Sequence, residues 1–289
     1  MSKEKKRKKK VKKKKITKEE REKKYKKIAY TAGEECIEVV LNEVSDKTLE
    51  WEEISSNQDV QLYKRDIDGF KVPKLKLVCM VPMANPEEVV SLTWTFEGRK
   101  KWDKKLKAIE ILKTFNVEKE NENLDVILFA INPPVKTMST RVQIDVSLTR
   151  RTNDGKIISG RKTLEDSKMG LDTTKAKGKR GRTNPSGFVI TPITRKQWIK
   201  YAKKSKTTRT INEGEDPDEI VASKFESIIF PDIGKNAKKM MGKMMIKVMS
   251  KMMPKSFTRF VDYVTTDFQQ EKKKKSKKKK SKRSEKSQK

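Results

Sequence analysis

The sequence predicts an α+β domain in which a curved antiparallel sheet lies between two long helices. Apolar residues recur at helical spacing in segments 17–45 and 235–265. Between these two segments the apolar period changes to two, which is typical of strands. Short polar turns join the predicted strands without crossover helices, and this connection favours antiparallel pairing.

The charge of the chain is concentrated at its two ends. The 289 residues carry a net charge of +32, and residues 1–27 contain 17 Lys and Arg against 4 acids, whereas residues 271–289 contain 12 against 2. Lysine runs repel one another and have nothing to bury, so we predict disordered arms at 1–16 and 271–289 around a domain at 17–270. Such arms act as solubility or localisation signals, or contact nucleic acid or anionic lipid.

The composition excludes several kinds of catalytic and metal site. The chain has no His and only two Cys, Cys36 and Cys79, which removes Ser–His and Cys–His nucleophiles and the usual zinc sites. It has no glycine-rich phosphate loop in a strand–loop–helix context and no nucleophile motif. We therefore expect no catalytic residues, no metal and no cofactor.

The sequence also limits the possible cellular locations of the protein. The first 30 residues lack the apolar core of a signal peptide, and no apolar run is long enough to span a membrane. Two unpaired cysteines suit a reducing compartment. We expect a monomeric cytoplasmic protein that is peripheral on membranes, with a nuclear location as the alternative that the lysine-rich ends suggest.

The first half of the domain contains short strands and a clear helix start. Segments 60–63 and 74–81 have strand character, and the second alternates clearly. Asn85, followed by Pro86 and by Glu88 three residues after Asn85, predicts a capped helix. A second short helix is expected to carry Trp102 and Asp103.

The second half of the domain is predicted to be mostly strands. The predicted strands are 109–115, 124–131, 141–150, 156–164, 188–193, 197–201 and 221–230. Within 141–150, Ile144 and Val146 belong to an apolar face, and Asp145 belongs to the polar face, where we expect it to be solvated. The turn 153–155, Asn-Asp-Gly, is a strong hairpin signal.

The C-terminal helix, 235–265, has a methionine side and a lysine side, and Pro254 predicts a kink or an interruption. The apolar stripe consists of Met241, Met244, Met245, Val248 and Met252. Lysines recur every four residues on the other side, at Lys239, Lys243, Lys247, Lys251 and Lys255. Methionine adapts to irregular contacts, so the stripe packs as core, lines a ligand site or contacts a partner helix or membrane.

Several short strings, in their order along the chain, resemble the START domain, the lipid-transfer module related to steroidogenic acute regulatory protein. The resemblance covers roughly residues 50–265. The strings are Asp59–Arg65, Pro73–Leu77, Asn85–Val90, Trp102-Asp103, Asn132–Lys136 with Arg141, Ser186-Gly187-Phe188 and Asp232-Ile-Gly234. Where members of the family often have Arg-Asp at the start of a central strand, this chain has Arg141-Val142.

The resemblance implies a helix-grip fold, in which the sheet wraps around the C-terminal helix and encloses an apolar tunnel for one lipid. It also implies a non-catalytic protein whose C-terminal helix is a gate. The candidate lipid-binding residues are Trp102, Arg141, Ile144, Val146, Phe188 and Trp198, together with the apolar stripe of the C-terminal helix. The sequence does not place the acid–arginine pair that some sterol-binding members hold inside the tunnel, so no lipid class is predicted.

Some of these residues have a structural role as their alternative. Trp102 either packs the short helix, with Asp103 as a capping or ion-pair partner, or contacts lipid. Arg141 is either a buried ion-pair partner or a ligand for a lipid head group, and Trp198 either packs in the core or lines the tunnel. The five lysines of the C-terminal helix are predicted to contact an anionic membrane transiently.

The leading functional prediction is an intracellular lipid-binding or lipid-transfer protein. The alternative is a nucleic-acid-associated protein that uses its basic arms. Aromatic residues are not interleaved with the lysine runs, as base stacking would require, so this alternative predicts electrostatic contact only.

Overall fold

A computed structural model of the protein describes residues 17–132, 140–165, 179–205, 207–211, 214–232, 239–274 and 277, without the side chains of 232 and 239–243. The predicted arm 1–16 lies outside the described residues. So do most of the predicted tail 271–289, residues 133–136 of the resembling strings and residues 233–234.

The described helices are α1 (Lys18–Ser45), α2 (Pro86–Trp94), α3 (Phe96–Arg99), α4 (Arg195–Ser205) and α5 (Lys239–Tyr263). The predicted start of α2 is confirmed: the Asn85 side chain accepts a hydrogen bond from the Glu88 amide, and the Glu88 carboxylate accepts one from the Asn85 amide. A π-helical turn, Val264–Phe268, follows α5, and helix continues to residue 274.

The described strands are β1 (Glu52–Ser56), β2 (Val60–Arg65), β3 (Lys74–Pro82), β4 (Leu106–Phe115), β5 (Glu122–Ile131), β6 (Arg141–Arg151), β7 (Ile157–Thr163), β8 (Lys179–Arg180), β9 (Arg182–Thr183), β10 (Ser186–Thr194), β11 (Ile220–Ile229) and β12 (Pro231–Asp232). Nine of them form a curved sheet in the order β1-β2-β3-β11-β10-β7-β6-β5-β4, and neighbours in this path are antiparallel. The short β8 adds to β6 in parallel, and β12 pairs with β9. The predicted fold, a curved antiparallel sheet with a long C-terminal helix, is confirmed.

Two local predictions were wrong. Residues 197–201 belong to α4 rather than to a strand, because Trp198 and the half-buried Tyr201 and Ala202 recur at helical spacing and pack together against β3 and β11. Trp102 and Asp103 lie in the turn after α3, which ends at Arg99.

Pro254 does not interrupt the C-terminal helix. The helix α5 continues through this residue, which is buried. Proline removes one backbone hydrogen bond from a helix. Here Phe260 and Val261, both fully buried in the next turns, hold the helix against the sheet.

The helix α1 covers the outer face of the sheet. Ile37 and Val40 of α1 pack with Ile144, Val146 and other apolar residues of β5, β6, β7 and β10. The approach is close because Gly160 of β7 has no side chain: a Cβ atom there would lie 2.4 Å from the Ile37 amide nitrogen. The helix and the outer face therefore form one continuous core.

The helix α5 covers the inner face of the sheet. The cluster on this side contains Leu62, Leu77 and Phe188 from the strands, with Phe260 and Val261 from α5. An arginine fixes the C-terminal part of α5 from outside: the Arg209 guanidinium binds both carboxylate oxygens of Asp59, at 2.9 and 2.8 Å, and the Asp262 carboxylate at 2.6 Å. The sheet is thus covered by a helix on each face.

Candidate functional site

A cavity of about 350 Å³ lies between the inner face of the sheet and the helix α5. Its volume falls at the lower end of the range for small-molecule sites, roughly 300–1,000 Å³. Strand ends form its far wall, and the helix forms its near wall. The strand residues on its lining include Ile131, Gln143, Arg161, Phe188, Phe225 and Ile229.

Aromatic side chains make up one part of the cavity wall. Trp94, at the end of α2, packs edge-on against Phe188 with ring centroids 5.0 Å apart. Phe188 packs against Phe225 at 5.6 Å, and Phe225 stacks on Phe257 of α5 at 5.5 Å. This chain of rings runs from α2 across the sheet to α5 and gives the cavity a firm apolar wall.

Trp102 has a structural role and also lies on the cavity wall. Its indole Nε1 donates a hydrogen bond to the Leu92 carbonyl oxygen at 2.7 Å, and its ring packs against Phe260 at 4.9 Å. Asp103 accepts a hydrogen bond from Arg99 Nε at 3.0 Å, so the acid is an ion-pair partner. Both alternatives considered from the sequence therefore fit the geometry of Trp102.

The methionine side of α5 supplies the other wall. Met245, Val248 and Met252, all predicted, line the cavity, and the lining also includes Met249 and Met253. Met244 does not belong to it, since 47% of its surface is exposed. The side chain of Met241 lies outside the described residues.

A buried acid and an arginine lie together on the inner face. Strand register places Asp145 of β6 opposite Thr163 and places Arg161 of β7 opposite Ser147, so Asp145 and Arg161 are diagonal neighbours on one face. Asp145 is fully buried and accepts a hydrogen bond from the Thr163 hydroxyl at 2.6 Å. The prediction of a solvated Asp145 was therefore wrong, because both faces of the sheet are covered.

Burial sets the protonation behaviour of this pair. Loss of solvent raises the pKa of Asp145 above its ordinary value, and the charge of Arg161 opposes that shift. Burial likewise lowers the pKa of Arg161, and the charge of Asp145 opposes this shift. Each group therefore stabilises the charged form of the other in a medium that disfavours both charges.

The pair keeps unused hydrogen-bonding capacity. Within the described part of the chain, Asp145 Oδ2 and Arg161 Nε are buried without a hydrogen-bond partner. Buried polar atoms without partners are uncommon, and one explanation for such atoms is that they serve a ligand or a water molecule. Arg161 lines the cavity, whereas Asp145 lies behind it and is not among the lining residues.

Aromatic rings hold the Arg161 guanidinium in place. Its Cζ atom lies 5.0 Å from the Trp94 ring centroid and 5.0 Å from that of Phe129. Cation–π contacts of this length are worth about 0.5–2 kcal/mol each, more when the cation is desolvated. The guanidinium is thus positioned before any ligand arrives.

Besides Met244, four predicted lipid-binding residues do not line the cavity. Ile144 and Val146 point to the outer face and pack against α1, because the residues that face inward on β6 are the alternating polar ones. Trp198 packs in a separate cluster with Met80, Val221 and Ala222. Arg141 is half-buried at the first position of β6 and is absent from the cavity lining.

Sequence reasoning missed Trp94, Phe225, Phe257 and the Asp145–Arg161 pair. The period of two in β6 divides its residues correctly into two faces, but it does not say which face looks inward. A usable signal was the pair of small or polar residues Ser147 and Ser159, which are also buried and hydrogen-bonded at 3.2 Å. Polar residues at alternate positions of two neighbouring strands indicate a polar strip within a covered face.

No cluster of three or more His, Cys, Asp or Glu in the described part of the chain could hold a metal ion. Cys36 and Cys79 are buried and unpaired, and burial raises the pKa of the Cys36 thiol to about 12. No described helix is both long and apolar enough to cross a membrane.

A curved antiparallel sheet that encloses a cavity against a long C-terminal helix defines a binding protein of the helix-grip class. The sequence matches the START domain over residues 32–194, more than half of the chain. The protein belongs to the START family of lipid-binding and lipid-transfer domains. The match begins within α1 and ends with β10, so α4, β11 and α5 follow it.

Solved structures of similar fold agree with this assignment. Human StAR-related lipid transfer protein 5 is 19% identical, with a TM-score of 0.59 over 84% of this chain and 99% of that chain. Human STARD10 is 14% identical, with a TM-score of 0.57 over 82% of this chain and 81% of that chain. A search of curated protein sequences found no match. At these identities the structures support the fold alone.

Proposed function

We propose that the protein is an intracellular lipid-binding or lipid-transfer protein that holds one lipid in the cavity between the sheet and α5. The observation that carries this proposal is a largely apolar cavity whose lining includes the pre-positioned Arg161, the partner of the buried Asp145. Family membership supports lipid as the class of ligand. No chemical step is required of the lining residues, so the proposed function is non-catalytic.

The polar pair favours a lipid with a small uncharged polar group, such as a hydroxyl or a carbonyl. Arg161 and Asp145 largely compensate each other's charge, so this pair by itself does not favour a phosphate. Arg99, Asp103 and Lys105 also line the cavity. Arg161 Nε can donate a hydrogen bond, and Asp145 Oδ2 can accept one. The hydroxyl group of a lipid could form a hydrogen bond with either atom, or with both through a water molecule. The small cavity volume is consistent with a ligand that has one compact apolar body.

Affinity is expected to come from burial of the apolar body. Removing each CH₂ group from water contributes about 0.8 kcal/mol. The aromatic wall and the methionines supply the contacts, and methionine adapts to the outline of the ligand. Specificity is then expected to come from the polar pair. A ligand that leaves a buried polar group without a hydrogen-bond partner loses about 1–3 kcal/mol of binding free energy.

Ligand exchange requires the near wall to move. The C-terminal part of α5 is anchored by fully buried Phe260 and Val261, whereas Met245, Val248 and Met252 are only partly buried. Segments with fewer buried contacts open at lower free energy. We infer that the N-terminal half of α5 is the gate, while Lys247, Lys251 and Lys255, which are exposed on it, contact an anionic membrane transiently. The side chains of Lys239 and Lys243 lie outside the described residues.

The proposal is tested by filling the cavity with a bulky side chain. We expect Met252→Trp to reduce the amount of co-purifying lipid in native mass spectrometry, and uptake from vesicles, at least tenfold, since the new ring occupies the ligand volume. Met244→Trp is the matched control, because Met244 lies on the same helix but is exposed. Circular dichroism and thermal unfolding establish that both variants fold.

Two outcomes count against the proposal. A wild-type protein that carries no lipid and extracts none from vesicles contradicts lipid binding as a whole. Equal loading of the two folded Trp variants contradicts the cavity as the binding site.

A further inference from the structure

The cavity lies at one end of the curved sheet. Its lining comes from the last residues of β5, β7 and β11 and from the first residues of β6 and β10. Because neighbouring strands are antiparallel, these strand termini lie together at the same end of the sheet. We call this the cavity end of the sheet.

The helix α4 lies at the opposite end. It begins directly after Thr194, the last residue of β10, and packs against Val221 and Ala222 at the start of β11. The helix is held firmly: Trp198 is buried, and the buried Arg195 binds the Glu219 carboxylate. Its outward face is therefore a fixed surface.

That outward face is basic. Lys196, Lys200, Lys203 and Lys204 are all exposed, and α4 contains no acidic residue. None of these four lysines has an ion-pair partner among the described residues. Acidic residues 215–219 approach only the first turn, where the Lys196 amide donates a hydrogen bond to the Pro217 carbonyl oxygen at 3.0 Å. Ile199 lies among these lysines with 47% of its surface exposed.

The C-terminal lysine segment leaves the domain at the same end. Gln269 Nε2 donates a hydrogen bond at 2.8 Å to the carbonyl oxygen of Met83, just after β3, and Lys272 binds Glu88 at 2.6 Å. Lys273, Lys274 and Lys277 follow as exposed residues. The sequence then continues with further lysines to residue 289.

The N-terminal lysine segment joins at this end too. The Lys113 ammonium, near the end of β4, binds Glu22 of α1 at 2.7 Å, and Tyr30 donates a hydrogen bond at 2.8 Å to Glu122, the first residue of β5. The start of α1 therefore lies at the end of the sheet away from the cavity. Residues 3–15, which precede it, are mostly lysine.

We propose that this end of the molecule is a docking surface for an anionic phospholipid membrane, separate from the cavity end. We call it the basic pole and define it by Lys196, Lys200, Lys203 and Lys204 of α4 with Lys272–Lys274. A protein held by the basic pole presents its cavity away from the membrane to which it is attached. It is then positioned to exchange lipid with a second, facing membrane.

Two observations favour a membrane over other polyanions. The basic pole consists of lysine, a compact point charge, and lacks the exposed aromatic and arginine side chains with which single-stranded nucleic acid is usually bound. Many lysines spread over one end of a molecule suit a broad anionic surface, where each contributes independently. The choice of a membrane also rests on the proposed lipid-binding function.

The test compares two triple variants of the full chain with equal charge loss. Lys200→Gln/Lys203→Gln/Lys204→Gln removes three charges from the basic pole, and Lys247→Gln/Lys251→Gln/Lys255→Gln removes three from the gate side of α5. Sedimentation with vesicles of phosphatidylcholine and phosphatidylserine measures the fraction of the protein that is bound to the membrane at equilibrium. We expect the basic-pole variant to lose about fivefold in partition per lysine, on the order of 100-fold in all at low salt. The α5 variant should sediment much as the wild type does.

Orientation is read from two single-cysteine probes. Cys36 and Cys79 are buried, so a maleimide dye labels an introduced cysteine selectively. On anionic vesicles, a dye at Lys203→Cys should be quenched by a quencher in the bilayer surface, and a dye at Met244→Cys should not.

Several results would overturn the proposal. Wild-type sedimentation by the basic-pole variant, equal losses in both triple variants, or quenching at position 244 alone would each do so. Loss of binding to single-stranded RNA with unchanged vesicle attachment would assign the basic pole to nucleic acid instead. Lipid loading of the basic-pole variant, measured by native mass spectrometry, tests the cavity separately and is expected to be unchanged.

Discussion

The pair of Arg161 and the buried Asp145 shows that tertiary packing decides the environment of a residue whose place in the sequence suggests a solvated position. In the sequence, Asp145 is one of four polar residues that alternate with apolar ones, and a solvated position is the ordinary expectation. In the structure it is fully buried, and its pKa is raised because solvent is excluded. The carboxylate would contribute little to stability on a surface, whereas its burial is costly here.

We expect Asp145→Asn to remove a pH dependence of stability. The folded pKa of Asp145 lies above its unfolded value, so the folded state binds the proton more tightly. The contribution of Asp145 to the free energy of unfolding therefore falls as the pH rises from the unfolded pKa through the folded pKa. Since Asn does not titrate, the stability of the variant relative to the wild type should rise between about pH 4 and about pH 7.

Urea unfolding at the two pH values measures this change. The exposed Asp218→Asn is the matched control, and its difference from the wild type should change less over the same range. A constant difference for Asp145→Asn would contradict the raised pKa.

The contact between α1 and the sheet decides stability at the scale of the elements. We expect Gly160→Ala to destabilise the fold by about 1–3 kcal/mol, because the new Cβ atom would lie 2.4 Å from the Ile37 amide nitrogen and α1 must shift. Urea unfolding with an unchanged m value measures the loss.

Gly181→Ala is the control for that prediction. A Cβ atom there first meets Gln143 Cγ at 3.1 Å, and the Gln143 side chain can turn aside. We expect a change below about 1 kcal/mol. Equal losses at the two glycines would show that the helix–sheet approach is not the cause.

The lysine-rich ends and the cavity-lining residues occupy separate parts of the chain. All cavity-lining residues lie between Thr93 and Phe257 in the sequence, outside the lysine-rich ends. Deletion of residues 1–16 and 278–289 should therefore leave lipid loading unchanged and change the free energy of unfolding by less than about 0.5 kcal/mol. Attachment to anionic vesicles should fall, because half of the net charge is removed.

Native mass spectrometry and vesicle sedimentation of the truncated chain provide the two readouts. Loss of lipid loading on truncation would contradict the domain limits of 17–270. Unchanged vesicle attachment would contradict a role for the ends.

Much of the architecture was determined by the sequence alone. The apolar period distinguished most strands from helices, because each geometry repeats its side chains over a short local distance. The Asn85–Glu88 capping box and the turn 153–155 fixed boundaries in the same local way. The methionine side of α5 was also readable, and Met245, Val248 and Met252 do line the cavity.

The tertiary structure decided what local patterns leave open. Alternation in β6 defines two faces, but only the packing of α1 and α5 on opposite sides decides that Ile144 faces outward and Asp145 inward. The pairing of Asp145 with Arg161 depends on strand register between separate strands. The common end of the sheet near which α4, the start of α1 and Lys272 lie is likewise set by topology, because the position of a charged residue in space is decided only when the chain folds.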